Sequence, residues 1–198
     1  MNNIFIETIR LTAEGVNYLS YHQKRVDKTL KDHNLPCLEL KDLLHNLPKP
    51  PSPLCRCRVV YGQVKPKIEL LPYSPIIRKR VKIEINNTID YSYKYLDREE
   101  LNKILHNSVY QDAIIIKNNM VTDSCFANLV FENKEGLFTP SSPLLRGTER
   151  QRLIDEKIIS EKAIFLSDIK EFDFVYFINA MMPLGFASAF VVTELEKP

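Results

Sequence analysis

The stretch Ile89-Asp90-Tyr91-Ser92-Tyr93-Lys94-Tyr95-Leu96-Asp97 sets one long cationic side chain among aromatics, where one pattern of periodicity gives way to another. Upstream, from Val81, residues alternate with the period of a strand. Downstream, Leu101, Ile104 and Leu105 recur with the period of a helix. Most lysines are solvated surface charges. A lysine at a strand-to-helix junction flanked by tyrosines is placed to point into a cleft, and its meaning depends on what the rest of the chain supplies.

The totals leave room for one large domain or two small ones. With 198 residues, 44% hydrophobic and 26% charged, the chain has the make-up of a soluble globular protein able to bury a sizeable core. Its 27 Lys and Arg nearly cancel its 25 Asp and Glu, and no basic block stands out, which argues against a dedicated nucleic-acid binder. No apolar run reaches membrane-spanning length and the start, Met1-Asn2-Asn3-Ile4, lacks a signal-peptide pattern, so the expected location is the cytoplasm with no membrane partner. Cys37, Cys55, Cys57 and Cys125 match neither a disulfide framework nor a zinc spacing; free packing thiols and no metal site are expected.

Outward from Lys94, the chain reads as alternating strands and helices. Ile4 to Leu11 is an imperfectly alternating strand with Phe5, Glu7 and Ile9 on one side. A turn at Glu14-Gly15-Val16-Asn17 leads to a helix over Ser20 to Asp32, with Ser20 as its N-cap, then a short helix over Leu38 to His45. The proline-rich run Asn46 to Pro53 excludes regular structure. Strands are expected over Leu54 to Tyr61 and Lys67 to Pro72, and Leu71-Pro72-Tyr73-Ser74-Pro75 reads as an interdomain linker. Beyond it come a strand from Val81, a helix to His106, and strands Asp112 to Lys117 and Ala127 to Glu132. A helix running to about Ile158 follows, then strands Ala163 to Leu166, Phe174 to Asn179 and Ala187 to Thr193. This mixture indicates an α/β or α+β protein, with a smaller N-terminal domain over 1–74 and a larger one over 75–198.

Six stretches, taken together and in order, resemble the class IV aminotransferases, the pyridoxal-phosphate (PLP) enzymes of fold type IV. They are Phe5-Ile6-Glu7-Thr8-Ile9-Arg10, Tyr21-His22-Gln23-Lys24-Arg25, Lys94-Tyr95-Leu96-Asp97-Arg98, Val121 through Leu129, Leu145-Arg146-Gly147-Thr148-Glu149-Arg150, and Asn179-Ala180-Met181-Met182-Pro183. That family includes branched-chain and D-amino-acid aminotransferases and aminodeoxychorismate lyase. The resemblance implies a two-domain fold with PLP in the cleft between the domains, and a homodimer.

It also implies roles. PLP must be held covalently by an amine, so Lys94 is the expected Schiff-base lysine and proton shuttle. Asp123 matches the acid that keeps the pyridine nitrogen protonated, although the family has glutamate there; the shorter side chain calls for a closer approach or a bridging water. Arg25 matches the phosphate arginine. Gly147, Thr148 and Glu149 match one amide cradle and Asn179 with Ala180 the second. Arg10, Arg56 and Arg58 lie on early strands and are candidates for a substrate carboxylate, with a solvated strand edge as their plain alternative. Asn128 is assigned no catalytic role.

The Lys94 to Arg98 run and the Asn179 to Pro183 loop resemble the lyase branch. The expected reaction is therefore elimination from an aminodeoxychorismate-like substrate to 4-aminobenzoate and pyruvate. The alternatives are amino transfer from a branched-chain or D-amino acid to a 2-oxo acid, and a catalytically decayed relative acting as a binding protein.

Overall fold

Alternation over the first dozen residues builds the strand around which the first unit forms. In the computed structural model, which describes residues 3–187 and 189–196, this unit contains β1 (Ile4–Thr12), β2 (Gly15–Val16), α1 (Leu19–Asp32), α2 (Leu40–Leu44), β3 (Leu54–Gly62) and β4 (Lys67–Pro72). The sheet order is β2-β1-β3-β4, and β1 pairs antiparallel with β3 along its whole length, from Ile4 opposite Gly62 to Thr12 opposite Leu54. One face carries Phe5, Ile9, Leu11, Cys55, Cys57, Val59 and Tyr61 and packs against Val26, Leu30, Leu40 and Leu44 of the helices. Each such buried aliphatic stabilises by roughly 1.5–3 kcal/mol, so this face pins the strand register. Cys55 and Cys57 are packing residues of that core. Gly62 closes it: its φ is 116°, and a Cβ there would lie 2.1 Å from the Asn3 carbonyl oxygen.

Ser20 does not cap α1. It lies inside the helix, which is entered through Tyr18 in the left-handed conformation (φ 50°) with no side-chain cap. The second helix is shorter than expected, because Asn34-Leu35-Pro36 is followed by extended chain up to Glu39.

The Lys94 segment also folds here. Ile6 N–H donates to Lys94 O at 2.9 Å and Leu96 N–H to Ile4 O at 3.0 Å, bridging Phe5 to Tyr95. The Tyr93 and Tyr95 rings lie 6.3 and 5.4 Å from that of Phe5, and the Tyr93 hydroxyl donates to Asp32. Tyr93–Asp97 thus joins the residues up to Pro75 in one compact unit, whereas the expectation of a single boundary placed it with the second. Apolar contact of the two tyrosines with Phe5 draws it there.

The second unit comprises Ile76–Ser92 and the chain from Arg98 onward. β5 (Val81–Ile85) runs parallel to β6 (Asp112–Lys117), with α3 (Glu99–Leu105) in the connection, and β7 (Met120–Ser124) returns antiparallel. The turn Asn118-Asn119 has φ of 51° and 65° at its two residues, the conformation that two-residue hairpins require and that Asn tolerates. β8 (Asn128–Asn133), β9 (Gly136–Pro140), α4 (Thr148–Asp155), β10 (Ser160–Lys162), β11 (Phe174–Ile178) and β12 (Ala189–Val191) follow, and the five strands are ordered β10-β9-β8-β11-β12. Ile114, Ile116, Val121, Leu129, Phe131, Val175 and Phe177 form the core between the two sheets of this unit.

Two expected elements differ. The strand placed over Ala163 to Leu166 is a single bridge, Phe165 to Met120; regular pairing falls instead on β10, parallel to β9. α4 ends at Asp155, where Lys157 turns left-handed (φ 59°). Among the described residues no helix is long and apolar enough to cross a membrane.

Candidate active site

In the first unit, β1 and α1 bring together a buried ionic cluster beside Lys94. Glu7 occupies a core-facing position of β1 and is fully buried. A carboxylate there must be paired, and α1 supplies both partners: His22 and Arg25, three residues apart, share one helix face. Arg25 forks onto the carboxylate, Nε to Oε1 at 2.8 Å and Nη2 to Oε2 at 2.6 Å, and His22 Nδ1 meets Oε2 at 2.6 Å. Burial alone would push the Glu7 carboxyl up. The charge of Arg25 and the bonds from His22 and Arg25 outweigh it and hold the group at about 2. The same burial lowers His22 against the pull of Glu7, and the nearby charges of Arg25 and Lys94 lower it further. With Glu7 ionised, the hydrogen on Nδ1 belongs to His22. Lys94 is half-buried, at the middle of a tight turn in which Tyr95 N–H donates to Tyr93 O at 2.9 Å.

The three candidate substrate arginines lie on the opposite face of the same sheet. Arg10 stands directly across from Arg56, and Arg58 lies two pairs further along, across from Thr8. Arg58 donates to Glu69 of β4 at 2.8 Å. Arg56 Nε is buried without a hydrogen-bond partner among the described residues.

In the second unit the central group is Asp123, near the end of β7 and 5% exposed. Its Oδ1 accepts from Asn128 Nδ2 at 2.7 Å and its Oδ2 from Leu145 N–H at 2.8 Å. It forms no ion pair among the described residues. Burial raises it to about 7, opposed by those two bonds and by the charge of Arg150. Asn128 is a keystone that sequence reasoning missed: it also donates to Leu145 O at 2.8 Å, so one amide ties the acid to the loop before α4. Its signal was a polar residue opening an otherwise apolar strand.

Gly147 is fitted to that amide. Its φ of −70° and ψ of 149° suit any residue, but a Cβ would fall 1.8 Å from Asn128 Oδ1. Gly147 caps α4, and the first intrahelical bond is Gln151 N–H to Gly147 O, which leaves the amides of Thr148, Glu149 and Arg150 as donors at the positive end of the helix. The Glu149 carboxylate turns to Arg152, with bonds of 2.9 and 2.8 Å, and accepts from Leu184 N–H at 3.3 Å. That contact ties the Asn179 loop to the same helix end. Asn179 Oδ1 accepts from the amides of Met181 and Met182, and its Nδ2 donates to Phe126 O. The side chain therefore shapes the loop, and Ala180 sits at its tip. The turn between β7 and β8 is held from beneath by Asp112, whose carboxylate accepts from Ser124 Oγ and Cys125 N–H and pairs with Arg78 at 2.7 Å.

These side chains suit PLP. Taken unit by unit, the first offers an amine, Lys94, and a guanidinium, Arg25, of the kinds an aldehyde and a phosphate need; the second offers Asp123, a buried carboxylate with no ion pair among the described residues, and the helix-end amides of α4, donors suited to an anion.

Two mixed sheet-and-helix units of this kind match the scaffold of fold type IV. The chain belongs to the class IV aminotransferase family, whose model matches residues 92–190. It is similar to a Haemophilus influenzae protein without a named activity, 33% identical over 180 residues covering 88% of this chain and 96% of that one. It is similar in structure to a Haemophilus somnus protein provisionally named 4-amino-4-deoxychorismate lyase, with a TM-score of 0.83, 30% identity, and coverage of 91% and 97% of the two chains. A hypothetical aminotransferase from Mycobacterium tuberculosis in PLP-bound form shares the fold at a TM-score of 0.72 and 15% identity, over 94% of this chain and 79% of that one.

Proposed function

We propose that this protein is a PLP-dependent lyase that converts 4-amino-4-deoxychorismate, or a close analogue, to 4-aminobenzoate and pyruvate. The observation that supports the reading is Arg56, which stands across from Arg10 in the β1–β3 register and whose Nε is buried without a hydrogen-bond partner among the described residues. A buried guanidinium donor left unmet costs stability that an anionic ligand would recover. Guanidinium forks match carboxylates, and this substrate carries two, one on the ring and one on the enolpyruvyl ether, where a simple amino acid carries one. The name of the Haemophilus somnus relative points the same way.

In this reading Lys94 holds the cofactor through its amine and, once released, removes the proton from the carbon that bears the substrate amine. Bound there, PLP supplies the electron sink for that carbon. Asp123 keeps the ring nitrogen protonated, and Asn128 and Leu145 N–H keep Asp123 in place. Arg25 is the guanidinium that the first unit offers to the phosphate, and the α4 amides are the anion donors of the second. The proton taken from the ring ends on the departing three-carbon fragment as pyruvate, so atoms balance with no second substrate.

The test is pyruvate release from 4-amino-4-deoxychorismate, followed with lactate dehydrogenase, with no amino acceptor present. Pyruvate and 4-aminobenzoate in equal amounts are expected. Amino transfer from a D- or branched-chain amino acid to 2-oxoglutarate, without pyruvate release, would overturn the lyase assignment in favour of a transaminase.

A further inference from the structure

Two consecutive residues of β1 hold both ends of the proposed cofactor site in the first unit. Ile6 N–H donates to the carbonyl of Lys94 at 2.9 Å, and the next residue, Glu7, grips Arg25 with two bonds of 2.8 and 2.6 Å. β1 is paired along its whole length with β3, so this pair of anchors sits on a rigid support. A guanidinium on four rotatable bonds loses side-chain entropy whenever it is fixed against a ligand. Arg25 has already been fixed by Glu7. Two of its five N–H donors point at the carboxylate, which sets the plane of the group and the direction of the three on Nη1 and Nη2. His22 occupies the second lone pair of Oε2, so the carboxylate cannot swing toward a different partner.

We propose that Glu7 is a positioning residue for phosphate recognition: through its fork on Arg25, referenced to the strand that also holds the Lys94 turn, it gives the protein its preference for the phosphorylated cofactor. The inference rests on the reading that Arg25 holds the phosphate. Simple charge counting opposes it, because an anion two bonds from the phosphate-binding group weakens the attraction for a dianion; removing Glu7 would then tighten phosphate binding. The proposal is that orientation outweighs this. A 13% exposed arginine that loses its carboxylate turns to other acceptors and no longer presents its donors in one direction.

The experiment measures, by absorbance titration of the full-length apoprotein, the ratio of affinities for PLP and for pyridoxal, which lacks the phosphate but forms the same bond to lysine. Wild type is expected to prefer PLP strongly. Glu7→Gln is expected to lower that ratio by roughly tenfold or more, the usual effect of losing charge-assisted hydrogen bonds, while pyridoxal affinity stays near wild type. Arg25→Gln should lower the ratio at least as far, and Glu7→Gln added to Arg25→Gln should lower it no further. If Arg25→Gln collapses the ratio but Glu7→Gln leaves it unchanged or raises it, the positioning role is overturned and the phosphate role of Arg25 stands. If Arg25→Gln leaves the ratio unchanged, the underlying reading fails and the proposal with it. Should Glu7→Gln not fold, Glu7→Asp keeps the charge but shortens the reach; a wild-type ratio in that variant overturns the proposal, and a reduced one supports it.

Discussion

Substituting Gly147 by alanine should break the link between the acid and the helix that follows it. The added methyl would lie 1.8 Å from Asn128 Oδ1, and since real contacts of this kind do not close below 3.0 Å, the amide must retreat by about 1.2 Å. Its bonds to Asp123 at 2.7 Å and to Leu145 O at 2.8 Å would then stretch past hydrogen-bonding range. One is charge-assisted and the other neutral, so their joint loss costs roughly 2–4 kcal/mol, or about 5–15 °C in Tm for a chain of this size. The backbone at Gly147 is ordinary, so the penalty comes from the contact alone. In an Asn128→Ala background the obstruction is gone, and Gly147→Ala should become neutral or stabilising by up to about 1 kcal/mol through the less flexible unfolded chain. Urea unfolding of the four proteins in this cycle checks the argument. A cost below about 1 kcal/mol in wild type, or an undiminished cost without the Asn128 amide, would refute it.

Three further outcomes are expected. Borohydride should fix the PLP chromophore covalently to wild type and not to Lys94→Ala, with the mass of the labelled peptide as the readout. Asp123 has its folded pKa raised from 3.8 to about 7, so the folded apoprotein binds the extra proton between those values; its stability should fall by on the order of 4 kcal/mol as pH rises from about 4 to 7 and level off above, and Asp123→Asn should remove that slope in denaturant titrations at each pH. Glu7 behaves oppositely: its folded pKa is lowered from 4.5 to about 2, so its contribution is present above about 4.5 and lost as pH falls toward 2, and acid unfolding of Glu7→Gln should lack that component.

Much of the fold is legible because its signals are local. The alternation of Leu54 to Tyr61 is the alternation of a half-buried strand, the run Asp112 to Lys117 coincides with β6, and Asn118-Asn119 takes the left-handed turn that Asn tolerates. Boundaries were less legible where tertiary pairing chose among similar segments. Ala163 to Leu166 has the apolar character of a strand, yet Ser160–Lys162 is the segment that β9 pairs. Ser20 has the chemistry of a cap, yet the chain entered the helix two residues earlier, at Tyr18.

For the site, it is the resemblance to the class IV family, and not residue types alone, that singles out Lys94, Arg25 and the Gly147 turn. Glu7 could have been found as a charge in the apolar row Phe5, Glu7, Ile9 and Leu11, and His22 as the residue one helical turn before Arg25. The partners of Asn128 and Glu149 could not. Asn128 acts through contacts with Asp123, five residues away, and with Leu145, seventeen away, and Glu149 through Arg152 and Leu184. The sequence by itself determined the chemistry on offer, because functional groups are properties of residues. Which carboxylate is buried with cations and driven to about 2, and which is buried with no ion pair among the described residues and raised to about 7, was decided only by tertiary structure, because pKa and orientation depend on what packing places around a group.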